Sequence, residues 1–155
     1  MNERRSPELT RRLAIRGATD VVSRCRDFTR RALTEWCWPG AGYAAGAGAR
    51  AGETPGADAA DDALLLVSEV VGNACLHAGG ATSLVLRCTD AWLRIEVTDE
   101  SPAAPQVRHR SDLSRPGGHG LRIVERLGRD WGWDAVVGDG KCVWVEIDSP
   151  PGHPG

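Results

Sequence analysis

Residues 61–79 read DDALLLVSEVVGNACLHAG, and this stretch decides the fold. Its local signals are helical. Asp61 or Asp62 can cap the start, and Gly79-Gly80 can end it in the left-handed conformation that glycine adopts at little cost. Leu, Val and Ala fill most of the circumference, so the helix is expected to be largely buried. One stripe differs. Glu69, Asn73 and His77 recur every four residues and stack on a single face, with Asp62 seven residues before Glu69 on the same line. A carboxylate, an amide and an imidazole on such a helix need a reason, because a buried polar group left unpaired costs roughly 2–7 kcal/mol. Two readings are open at this point: a helix edge that meets solvent, or the floor of a site for a charged ligand and a metal.

Working outward, Arg11 to Arg16 alternates, with Leu13 and Ile15 on one side, and suits a short edge strand. From Thr19 to about Trp36, Val21, Cys25, Phe28, Ala32 and Trp36 recur at helical spacing. Arg24, Arg26, Arg30 and Arg31 fall mostly on the wet side of that helix. Residues 39–60 are nearly all Gly, Ala and Pro; so few bulky side chains cannot offset the ordering entropy, and a flexible insertion is expected. Downstream, Thr82–Cys88 and Ala91–Thr98 form two strands, the second with Leu93, Ile95 and Val97 facing inward. A proline-marked loop from Asp99 to Pro116 leads to a short helix, Leu121 to Leu127. Asp134–Val137 and Cys142–Ile147 then make a hairpin across Gly138-Asp139-Gly140. Hairpins dominate over crossovers. The fold class is therefore α+β, a two-layer sandwich of helices on one face of a mixed, mostly antiparallel sheet. One domain spans residues 11–148, between frayed ends at 1–10 and 149–155.

The charge balance narrows the partners. The net charge of -2 argues against a general nucleic-acid binder, and the Arg clusters lack a reading-head motif. Residues 1–50 nevertheless carry ten Arg against five acids, and the remainder nine bases against sixteen. An acidic protein partner suits that basic segment as well as a polyanion does. Eighteen of the nineteen bases are Arg; Lys141 is the lone lysine. Cys25, Cys37, Cys75, Cys88 and Cys142 are scattered, odd in number and without metal-site spacing, which fits a reducing cytoplasm. No apolar run reaches signal-peptide or membrane-spanning length, so no membrane role is expected.

Three stations carry candidate chemistry. At the first, the Asn73 carbonyl can offer a hard oxygen to a nucleotide-borne magnesium, and Glu69 can act as a general base. The second is Asp99-Glu100-Ser101-Pro102 after a buried strand. A carboxylate there can accept from an exocyclic amine such as adenine's, or it can belong to an ordinary Asp/Ser-Pro turn. The third is Gly117-Gly118-His119-Gly120 opening a helix, where exposed N–H groups suit phosphate. It lacks the Lys-Ser/Thr ending of a P-loop and the feeding strand of a dinucleotide fold.

In order and spacing the three stations resemble the GHKL nucleotide-binding superfamily, which includes gyrase, histidine-kinase and MutL-type ATPases. Residues 67–74, VSEVVGNA, with His77-Ala78, look like its N box. Residues 97–102, VTDESP, look like its first glycine box, and residues 118–124, GHGLRIV, like its second. The closer likeness is to the small anti-sigma-factor serine/threonine kinases of the RsbW type and their actinobacterial relatives, over roughly residues 10–148. The resemblance implies the Bergerat-type sandwich with ATP and Mg²⁺ as cofactors. Asn73 would hold the metal, Asp99 the adenine amine, and Gly118 and Gly120 the phosphates, while Arg115 stands near the terminal phosphate. Glu69 would activate a serine hydroxyl on an anti-anti-sigma (STAS-type) partner. His77, Ser101, Gly117, His119, Leu121 and Cys142 complete the implied nucleotide-binding set. A sigma factor is the second implied partner, and a homodimer through the first strand and helix is implied as well.

Two departures stand out. Ser101 occupies the place of the usual glycine in the first box. The final strand reads Lys141-Cys142-Val143-Trp144 where the family often has Lys-Thr-Val-Trp, so a threonine hydroxyl that helps hold adenine through water is missing. With the short loop between the boxes, Cys142 favours an alternative, a nucleotide-gated protein-binding switch without catalysis. The catalytic domain of a two-component histidine kinase ranks lower, since no helix bearing a phospho-accepting histidine precedes the domain.

Overall fold

The periodic segments resolve into eight elements: β1 (Leu9–Ala14), α1 (Val21–Glu35), α2 (Ala57–His77), β2 (Ala81–Cys88), β3 (Trp92–Asp99), α3 (Gly120–Leu127), β4 (Asp130–Val136) and β5 (Gly140–Asp148). They are defined by a computed structural model that describes residues 8–38, 57–77, 79–101, 120–136 and 140–150. The strands form one sheet in the order β1-β2-β3-β5-β4. Every neighbouring pair is antiparallel, so the expectation of a mixed sheet is corrected. The reason is the route of the chain after β3. It passes through α3 and β4 before β5 returns beside β3 in the opposite direction.

Alternation along the strands separates two faces. Leu84, Leu86, Cys88, Leu93, Ile95, Val97, Val143, Val145 and Ile147 are buried on one of them. They share a core with Cys25, Ala32 and Leu33 of α1, Leu66, Val67, Val70 and Val71 of α2, and Val124 of α3. All three helices therefore lie on that face. Buried Thr29 has its hydroxyl satisfied by the Cys25 carbonyl one turn back at 2.7 Å. Burial pushes the Cys25 and Cys88 thiols up to about 11, which keeps both protonated as packing groups.

The opposite face is laced by ion pairs. Arg87 and Arg94 sit directly across from each other on β2 and β3, a repulsive placement taken alone. Glu96 lies between them, accepting from Arg87 Nε at 3.3 Å and Arg94 Nε at 3.0 Å. Arg94 also reaches Glu146 at 3.0 Å and stacks 4.3 Å from the centre of the Trp144 ring. That indole in turn covers Gly132 so closely that a Cβ there would lie 2.8 Å from it.

Several boundaries differ from expectation. Leu9 and Thr10, expected in a frayed end, pair with Cys88 and Arg87. Residues 57–60, expected in the insertion, form the first turn of α2, so Asp61 and Asp62 lie inside that helix and do not cap it. The first strand of the last hairpin, β4, starts at Asp130, four residues early. Residues 39–56 lie outside the described residues, as do 1–7 and 151–155. Gly79 and Gly80 do end α2 with positive φ, 74° and 118°. Among the described residues no helix is long and apolar enough to cross a membrane.

Helix α1 closes in a two-bond C-terminal cap. Trp38 N–H donates to Leu33 O at 2.8 Å and Cys37 N–H to Thr34 O at 3.1 Å, with both Trp38 and Leu33 buried. The left-handed position falls on Cys37, at φ 56°, where glycine is the usual occupant. Cys37 is exposed, so its side chain contributes little packing in return. Cys37→Gly is expected to raise unfolding stability by about 1 kcal/mol, read as a higher urea midpoint at unchanged slope.

Candidate functional site

Helix α2 ties the two ends of the sheet together. Near its start, Asp62 lines a pocket with Leu127, Gly128, Ile147 and Asp148. Past its end, Gly80 leads into Ala81, which pairs with Asp99. Asn73 lies little more than one turn from the end of α2 and so belongs to the Asp99 end of the molecule. Asp62, Glu69 and Asn73 are half-buried, flanking the arc of Leu66, Val70, Ala63 and Ala74 that packs into the core. The stripe is thus an edge of the helix, neither sealed nor fully wet. His77 is the last residue of α2, and its side chain lies outside the described residues.

The second station is the most built part of the site. Asp99 ends β3 with only 2% of its surface exposed. Its Oδ1 accepts the Ser101 backbone N–H at 2.9 Å and the Lys141 ammonium at 3.0 Å. Lys141 Nζ also donates to the Ser101 carbonyl at 3.3 Å. Asp99 and Lys141 face each other directly across β3 and β5. Gly140 presses on the same corner, since a Cβ there would lie 2.3 Å from the Asp99 carbonyl oxygen. Glu100, the next residue, pairs with Arg16 beyond the end of β1.

Lys141 joins this corner without belonging to the implied set of site residues. The signal was available, because it is the lone lysine and alternates in step with Val143, Val145 and Ile147 on the apolar face. Cys142, expected to line the nucleotide, lies on the face away from Asp99. Adjacent strand residues point to opposite faces, and Cys142 falls on the ion-paired one. Its thiol pairs with Thr98 and is pushed up, first by burial and then by Glu96. The side chain that meets Asp99 is its neighbour.

At the third station, Gly120 and Leu121 open α3, while Arg115, Gly117, Gly118 and His119 lie outside the described residues.

The fit to a nucleotide follows from donor and acceptor arithmetic. Among the described residues both bonds to Asp99 fall on Oδ1, and the acceptor capacity of Oδ2 suits an amine. Among the described residues no group of three His, Cys, Asp or Glu could hold a metal. A magnesium arriving with phosphates and water needs only one or two protein oxygens, and the Asn73 amide can provide one.

A family model described as a histidine kinase-like ATPase domain matches residues 41–147, from ahead of α2 nearly to the end of β5. β1 and α1 precede the matched stretch. No curated protein matches the chain.

Proposed function

The chain belongs to the histidine kinase-like ATPase domain family, and from that premise we propose that it is a regulatory serine/threonine kinase that uses ATP. Its substrate is a serine on an anti-anti-sigma protein of the STAS type, and a sigma factor is its second protein ligand. The observation that carries the reading is the near-complete burial of the Asp99 carboxylate, with both of its bonds among the described residues on one oxygen, at the end of the sheet to which Asn73 belongs. Burying an acid is costly unless its lone pairs are used, and an exocyclic amine uses them.

Magnesium, when bound with ATP, screens the phosphate charge. In this proposal Asp99 accepts the adenine amine and Asn73 offers its carbonyl oxygen to the metal. Glu69 lies one turn from Asn73 on the same half-buried edge and takes the hydroxyl proton of the incoming serine. That oxygen then bonds to the terminal phosphorus as the bond to the departing ADP oxygen breaks. The first turn of α3 and the glycines before it supply N–H donors to the phosphates. A homodimer along β1 and α1 belongs to the same proposal.

Incubation with terminally labelled ATP and candidate STAS proteins tests it. Label on a partner serine is the expected result. Tight ATP binding with no label transferred to any of them would leave a nucleotide-gated binding switch in its place.

A further inference from the structure

Thr29, Asp99 and Lys141 are the buried polar side chains among the described residues. The helix carbonyl accounts for Thr29. Lys141 is not accounted for. At 5% exposure its ammonium carries three N–H donors and no acceptor. Asp99 Oδ1 takes one donor and the Ser101 carbonyl a second. The third has no acceptor among the described residues. Among the described residues a counter-ion role explains the charge of Lys141 and leaves that proton without an acceptor, which is unfavourable for a group this deep.

We propose that Lys141 donates this proton to the ring nitrogen of adenine that adjoins the exocyclic amine, so that Asp99 and Lys141 together read the purine edge at two points. The inference rests on the nucleotide role of Asp99 proposed above and adds the residue that sets base choice. Adenine presents a donor beside an acceptor on that edge, and the pair presents an acceptor beside a donor. Guanine and hypoxanthine present the reverse order, a carbonyl beside an N–H. They would set oxygen against the Asp99 carboxylate and a proton against the Lys141 ammonium. A site built for one order rejects the other strongly, because its buried groups are left unpaired.

Calorimetric affinities for ATP and for 1-deaza-ATP, in which that ring nitrogen is a C–H, test the proposal. The unmodified protein is expected to prefer ATP by about 10- to 100-fold, as for one hydrogen bond to a charged group. In Lys141→Met the preference falls to near one, and Lys141→Arg restores part of it. Equal binding of the two nucleotides by the unmodified protein overturns the inference, and needs no variant to fold. So does a Lys141→Met protein that keeps the parental ratio, since a purely structural lysine would weaken both ligands alike. Failure of the underlying reading looks different: ATP itself does not bind, or Asp99→Asn leaves its affinity unchanged.

Discussion

Asp99→Asn lowers ATP affinity by about 100-fold or more, and calorimetry on the folded variant reads the loss directly. The substitution keeps the shape of the side chain and removes its charge. The amide can turn either an oxygen or an NH₂ toward the base. Lys141 and the Ser101 N–H both seek the oxygen, which leaves the NH₂ facing the adenine amine, donor against donor. Losing a charge-assisted bond and leaving the base amine unpaired together reach this magnitude. The variant is also less stable, by about 3–5 kcal/mol if Lys141 loses its partner entirely and less to the extent that the amide oxygen holds it. Urea unfolding separates that cost from the binding loss. A folded Asp99→Asn protein that binds ATP as tightly as its parent sinks the nucleotide reading.

The second large effect falls on turnover. Glu69→Ala is expected to cut phosphoryl transfer by about 10²–10⁴-fold, the usual contribution of a positioned base. ATP affinity should change little, since Glu69 contacts the reacting hydroxyl in this proposal and not the nucleotide. Glu69 is half-buried at the edge of α2, where alanine is the best helix former, so the fold is expected to tolerate the change. Single-turnover transfer and equilibrium binding measured side by side decide it. If both fall together, Glu69 holds the helix edge in place and is not the base.

Strand identity was legible because alternation is a strong signal. Leu93, Ile95 and Val97 announced one buried face of β3, and the element order followed from the hairpin turns. The misplaced ends have local causes. The run Ala57-Asp58-Ala59-Ala60 shares its composition with the segment before it, so nothing in the residues marks it as helix. The start of β4 hides behind Trp131-Gly132-Trp133, where a glycine reads as a breaker until the Trp144 ring is seen to lie over it. At the site, motif likeness pointed to Cys142 by position in a familiar run. Face pointed to Lys141. The strand period puts Cys142 and Asp99 on opposite faces, which the motif does not show.

The lone lysine makes the site readable by another route. Amine-directed acylating reagents have one side-chain target in this chain besides the terminal amine, and that target is sealed against Asp99. Each covalent adduct counted there by mass spectrometry reports one opening of the corner where β3 meets β5. The labelling rate therefore serves as a built-in clock for breathing at that corner, with no probe introduced and no residue replaced.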